Sequence, residues 1–201
     1  MYLVQFIAVV SLMELTPGPN MGYLVVLSLT QGRRAGLATV AGVATGLTVQ
    51  AVIATVGFGA IIADHPPLYQ TMRWLGIAML AYLAVEAWRE EREKPSEDSL
   101  AADLGRHFLR GFLTNVVNPK SLVFFIAVIP DFLPPPPDAA LHDMIILVAI
   151  YLAIATAVHL ALVLVSARIR PWLSSGRNQT LVRRASAVAL AGMVVWLMLG
   201  T

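Results

Sequence analysis

Two clusters of helix breakers interrupt long apolar segments of this chain: Thr16-Pro17-Gly18-Pro19-Asn20 inside the first, and Asn118-Pro119-Lys120 inside the fourth. Proline removes a backbone donor and clashes with the preceding turn, so each cluster leaves amides and carbonyls without helical partners. In hydrocarbon, such groups must face protein, water or a ligand. Half-helix ends near the bilayer midplane are where transporters bind substrates and coupling ions. The two breaks therefore point to transport.

Composition supplies the bilayer. Of 201 residues, 58% are hydrophobic and only 13% charged, with a mean hydropathy of +0.74, too apolar for a soluble domain of this size. The formal charge of +2 comes from basic residues confined to a few loops, so it reads as orientation in a membrane and no nucleic-acid partner is expected. With no cysteine, disulfides, thiolate metal sites and thiol catalysis are excluded, and the redox compartment cannot be read. The N-terminus, Met1-Tyr2-Leu3-Val4-Gln5-Phe6, lacks the positive region of a signal peptide, so the first segment is expected to be retained as a helix.

Segments long enough to cross about 30 Å of hydrocarbon run from Tyr2 to Thr30, Leu37 to Ala63, Leu68 to Trp88, Phe108 to Phe132, Met144 to Ala167 and Leu181 to Leu199. The expected fold is an all-α integral membrane protein of six transmembrane helices forming one transporter domain, residues 1–201. Arg33, Arg34, Arg89, Arg92, Lys94, Arg106, Arg110, Arg168, Arg170, Arg177, Arg183 and Arg184 fall on one side. Asp64, Asp131, Asp138 and Asp143 fall on the other. The positive-inside rule makes the basic side cytoplasmic and both termini extracytoplasmic.

The long basic connection divides the chain into a first repeat, 1–88, a cytoplasmic linker, 89–107, and a second repeat, 108–201. Three helices per half give the halves opposite orientations, as in an inverted-topology repeat, with helices 1 and 4 both broken at the midplane. Lys120 lies about ten residues, or roughly 15 Å, from both Arg110 and Asp131, which sets it at the bilayer centre. The stretch Glu90 to Asp103 reads as a mobile, mixed-charge linker, and Pro134 to Pro137 as a stiff outer loop.

Several polar residues share the depth of the breaks. Glu14, one turn ahead of the first, costs about 2.5–3.5 kcal/mol there if ionised; it is either a proton-coupling or ammonium-binding carboxylate, or a buried partner of Lys120. Lys120 can hold a substrate carboxylate or act as counter-charge to Glu14. Asn115 and Asn118 either line the same cavity or bond between helices. His159 is a proton relay or a satisfied buried histidine. Gln50, with Thr45, Thr48 and Thr55 nearby, reads as an inward polar face, chiefly structural. Gly42 and Gly46, with Gly57 and Gly59, mark close helix contacts within one subunit or between copies in a homo-oligomer.

Other chemistries lack their residues. His65, His107, His142 and His159 have no metal-ligand spacing, so no metal or other cofactor is expected. There is no phosphate-binding glycine loop ending in Lys-Ser/Thr. Ser11 and Ser166 have no glycine-flanked setting or base, so the chain is not read as an enzyme. An exporter of another small solute, or a membrane scaffold without transport, are the rival readings.

Leu15-Thr16-Pro17-Gly18-Pro19-Asn20, Gln31-Gly32-Arg33-Arg34-Ala35-Gly36, Gly111-Phe112-Leu113-Thr114-Asn115, Asn118-Pro119-Lys120 and Pro130-Asp131-Phe132 follow one another in order. Together they resemble the LysE/RhtB family of bacterial amino-acid exporters across essentially the whole chain. The resemblance implies a multi-pass protein of the bacterial cytoplasmic membrane, exporting amino acids or close derivatives and driven by the proton-motive force. It assigns Pro17, Gly18, Pro19, Asn20, Asn118, Pro119 and Lys120 to the translocation site; Asn115 joins them, and Glu14 and His159 are proton-coupling candidates, by depth. Many relatives carry histidine near Gln50 and aspartate at Asn20, so coupling here is expected to fall on Glu14 or His159. One carboxylate opposite one lysine suits a small neutral zwitterion.

Overall fold

The computed structural model describes residues 2–15, 18–55, 66–89, 97–133, 141–173 and 178–199. Thr16, Pro17, Gly57, Gly59, His65 and the Pro134 to Pro137 run lie outside them. Every regular element among the described residues is helical. The first segment is two helices, α1 (Tyr2–Leu15) and α2 (Pro19–Thr30); then come α3 (Arg33–Thr55) and α4 (Pro66–Arg89). The fourth is α5 (Glu97–Val116) and α6 (Pro119–Val123), continued by a π-helical turn (Phe124–Val128) and a 3-10 turn (Ile129–Phe132). Finally come α7 (Leu141–Leu173) and α8 (Asn178–Leu199).

Both breaks fall where the prolines require them. Gly18 is extended (φ −151°, ψ 170°) ahead of Pro19, the first residue of α2. Asn118 is extended (φ −79°, ψ 113°) ahead of Pro119, the first residue of α6. A residue preceding proline is pushed out of the helical region, while proline itself is preorganised for a helix start. Pro130 explains the irregular end of this segment. It has no N–H to return to the carbonyl four residues back, and the Ile129 N–H instead reaches back five residues to Phe124, the π-helical register.

Among the described residues, two helices, Arg33–Ala54 and Leu141–Pro171, are long and apolar enough on their own to cross a bilayer, while α1 and α2 are apolar but shorter. α7, with 33 residues, spans about 50 Å. The main packing pairs are α3 with α5; α1, α2 and α3 with α7; and α4 with α8.

The α3–α5 contact answers the question left by the glycines. A Cβ on Gly42 would overlap the Phe108 carbonyl oxygen, one on Gly111 would overlap that of Thr39, and one on Gly46 would lie 2.9 Å from that of Phe112. These small residues bring two helices of one chain into backbone contact.

Two expectations change. Residues 97–103, read as mobile linker, are the opening turns of α5. Mixed charge at helical spacing supports a helix as readily as a coil, as Asp103 and Arg106 do across 3.6 Å. Thr45 and Thr48 do not share an inward face with Gln50: both are exposed and return their hydroxyls to the carbonyls of Ala41 (2.8 Å) and Ala44 (2.9 Å). That i−4 bond satisfies a hydroxyl on an outward helix face.

His107, one residue ahead of the fourth apolar segment, is buried beside Thr39, whose hydroxyl donates to its carbonyl at 3.3 Å. Burial, reinforced by the Arg110 charge, lowers its pKa from 6.5 to about 4. The folded protein thus keeps this ring neutral where an unfolded chain would protonate it. His107 contributes stability that is intact above about pH 6.5 and is lost as pH falls toward 4. Thermal unfolding in detergent from pH 8 to 4 should show this acid limb, and His107→Gln should flatten it.

Candidate functional site

The two breaks meet. One cavity is lined by Glu14 from α1, Gly18, Asn20 and Met21 around the start of α2, Leu47 from α3, Asn115 from α5, Asn118, Lys120 and Ser121 around α6, and Tyr151 and His159 from α7. Glu14, Asn20, Asn115, Asn118 and Lys120 are therefore neighbours, though a hundred residues separate the two motifs. Pro19 and Pro119 contribute through the backbone, as the first residues of α2 and α6.

The lining divides into a charged side and an amide side. Glu14 is 5% exposed. One of its oxygens accepts from the Tyr151 hydroxyl at 3.0 Å, and the other lies 3.7 Å from His159 Nε2. Lys120 does not simply face Glu14. Its side chain passes over Gly18, where a Cβ would lie 3.5 Å from Lys120 Cδ, and its ammonium donates to the Met13 carbonyl at 2.8 Å. That carbonyl belongs to the last turn of α1, the negative end of the helix, with no intrahelical donor of its own. Lys120 thus joins the second break to the first.

The amide side is a chain of hydrogen bonds. Asn20 Nδ2 donates to Asn115 Oδ1 at 2.5 Å, and Asn115 Nδ2 donates to Gln50 Oε1 at 3.5 Å. Ser121 Oγ donates to the same Gln50 oxygen at 2.7 Å. Gln50 Nε2 donates to the carbonyls of Val116 and Asn118, each at 3.1 Å. Gln50 therefore supplies, from α3, the partners that the second break removes. Asn118 caps α6 by accepting from the Lys120 backbone N–H at 3.1 Å, as N-cap asparagines do.

One acceptor is left over. Among the described residues, Asn20 Oδ1 has no partner; it is buried and belongs to a residue on the cavity wall, the arrangement expected of a group awaiting a ligand N–H. The free space now suffices for roughly one water. An amino acid fits only after the half-helices part.

Sequence pattern alone does not single out Tyr151 and Ser121. A tyrosine and a serine in apolar helices usually signify packing or a hydroxyl returned to its own helix. The available signals were the place of Tyr151 on the same helix as His159, two turns earlier, and of Ser121 beside Lys120.

Gln50→Leu tests the bracing of the break. It takes the Gln50 amide from the carbonyls of Val116 and Asn118, leaving Asn118 only the longer bond from Ser121 Oγ at 3.4 Å, at an expected cost of about 1–3 kcal/mol, or a fall of roughly 3–10 °C in the thermal midpoint in detergent. A midpoint within a degree of the parent would mean that water serves these groups equally well.

All-helical, apolar and organised around a buried polar cavity at two helix breaks, the chain is built as a membrane protein. It matches the LysE type translocator family over residues 11–201, and it belongs to that family. It is 27% identical over 176 residues to the homoserine/homoserine lactone efflux protein of Salmonella typhimurium, covering 87% of this chain and 85% of that one. It is 26% identical over 200 residues to the membrane protein YrhP of Bacillus subtilis, covering 94% and 95%. Against the threonine efflux protein of Escherichia coli K12, identity is 29% over 127 residues, 61% of each chain. No solved structure matches the chain.

Proposed function

We propose that this protein is a secondary transporter exporting small neutral amino acids or close derivatives across the bacterial cytoplasmic membrane in exchange for protons. The observation that carries the reading is the meeting of two helix breaks, far apart in sequence, in one buried cavity holding a carboxylate, an ammonium and an unpartnered amide oxygen. A packing kink needs none of these groups. Relatives named for efflux of homoserine and threonine support the substrate class, since both amino acids are neutral zwitterions.

The substrate carboxylate draws Lys120 away from the Met13 carbonyl. The substrate ammonium then takes the place Lys120 has left, between that carbonyl, Asn20 Oδ1 and Glu14. A carboxylate facing an ammonium is held ionised, so binding from the cytoplasm expels the proton from Glu14. A proton arriving from outside neutralises Glu14 and releases the amino acid there. One proton moves in as one zwitterion moves out, and no covalent chemistry is involved.

The architecture proposed for this cycle is six spans in two inverted three-helix repeats, 1–88 and 108–201, with residues 89–107 between them on the cytoplasmic side and both termini outside. Helix pairing supports it. Exchanging spans 1, 2 and 3 for spans 4, 5 and 6 turns the contact of span 2 with span 4 into that of span 5 with span 1, and both contacts occur. The contact of span 3 with span 6 maps onto itself.

The test is efflux of labelled amino acids from proteoliposomes with and without an imposed pH gradient. L-threonine and L-homoserine should leave faster with the gradient. Absence of flux for a broad panel from folded protein would overturn the reading.

A further inference from the structure

We infer that Tyr151 is the positioning residue through which the occupancy of Glu14 controls an aromatic seal on one side of the cavity. This rests on the transport reading above. Tyr151 is 0% exposed and belongs to two assemblies at once. Its hydroxyl donates to Glu14 Oε1 at 3.0 Å, while its ring stacks on Phe124 (centroids 4.7 Å, interplanar angle 22°) and meets Phe125 edge-on (4.9 Å, 68°). Phe124 packs in turn against Phe6 (6.0 Å), and Phe6 against Phe132 (5.1 Å).

These rings and their neighbours Val10, Ile129 and Leu147 form a buried apolar cluster. On α1 the cluster lies ahead of Glu14, after the second break it lies beyond Lys120, and on α7 it lies ahead of His159. All three place it on the same side of the cavity. On the other side a smaller cluster, Leu24, Val40 and Val163, follows Asn20 on α2 and His159 on α7. With the proposed orientation, the aromatic cluster is the outer seal and the aliphatic one the inner.

The outer seal is built on the element best able to shift. Phe124 and Phe125 stand in the π-helical turn, which runs directly into the 3-10 turn. π-helical bulges concentrate at functional sites, and their extra residue lets a helix change register locally. Glu14 is faced by Tyr151 and His159 from α7 and by Lys120 from α6. A substrate ammonium bound at Glu14 draws the carboxylate toward itself. The Tyr151 hydroxyl, at 0% exposure, cannot fall back on bulk water, so it must follow its acceptor, and its ring moves with it. Movement of that ring unstacks Phe124 and loosens the seal.

Tyr151→Phe separates the two roles, because it retains the ring and deletes the hydroxyl. In proteoliposomes, gradient-driven efflux of labelled L-threonine or L-homoserine should fall at least tenfold and lose its pH dependence, with a smaller fall in counterflow without a gradient. Undiminished gradient-driven efflux would overturn the inference. So would loss of counterflow together with driven efflux in folded protein, which would make Tyr151 a plain binding residue. Phe124→Leu keeps the seal apolar but removes the stack. It should raise downhill leak severalfold with counterflow retained, and parental leak and coupling would overturn the inference. A parent protein that moves neither amino acid would overturn the transport reading, and this inference with it.

Discussion

Glu14→Gln is expected to reduce gradient-driven efflux to one-tenth or less while leaving the protein as stable as before, or more so. Glutamine keeps the side-chain length and an oxygen to accept from Tyr151, so the packing at 5% exposure has little to adjust. It cannot exchange a proton, and it offers a substrate ammonium a neutral acceptor. Hydrogen bonds to charged groups contribute about 1.5–3 kcal/mol against about 0.5–1.5 for neutral ones, so the affinity loss should be about tenfold. Where Glu14 is ionised at the proposed mid-membrane depth, it also costs about 2.5–3.5 kcal/mol on insertion scales, a cost that its removal relieves. Gradient-driven and counterflow flux, measured beside the thermal midpoint, check both halves. Efflux that still follows the pH gradient would remove Glu14 from the coupling mechanism.

The largest structural effect is expected from Gly42→Val. A Cβ there overlaps a backbone carbonyl of α5, that of Phe108, and a backbone cannot swing aside as a long side chain can. Either α3 and α5 separate or the helix distorts. Overpacking of this kind costs about 1–3 kcal/mol and sometimes more, and at this chain length each kcal/mol moves the midpoint by about 2–4 °C. A fall of roughly 10 °C, or failure to recover folded protein, is the expected outcome. Gly111→Val should behave alike, because its Cβ overlaps the Thr39 carbonyl from the opposite helix. Gly105 and Gly192 are the controls: a Cβ at either meets nothing within 4 Å. Alanine at those positions should be neutral, or stabilising by about 0.5–1 kcal/mol through helix propensity. Equal effects at Gly42 and Gly105 would contradict the close α3–α5 contact. The separation of the two classes is read from four melting curves.

Much of this could be read before any coordinates, and the particular residues say why. Pro19 and Pro119 break helices because of the proline ring itself, so the breaks after Leu15 and Val116 follow from sequence alone. Gly42 and Gly46 announced a close contact through their spacing, but spacing is the same whether the partner helix belongs to one chain or two. Charge is a poor guide in the linker: the stretch Glu90 to Asp103 reads as solvated because charged residues predominate in it, yet residues 97–103 open α5, where Asp103 meets Arg106 one turn on. Gln50 was recognised as polar and inward, but its hold on the carbonyls of Val116 and Asn118 depends on a neighbour more than sixty residues away.

The sequence by itself determined where the backbone must break, which segments must avoid water and which ionisable groups are too costly to leave idle in an apolar setting. These properties belong to single residues or to short spacings. Only the tertiary structure decided who answers whom: Lys120 reaching the end of α1, Gln50 bracing the second break, and Tyr151 joining Glu14 to the aromatic cluster. Hydrogen bonds are short and directional, so partners are chosen by helix packing in three dimensions, and no one-dimensional pattern records that choice.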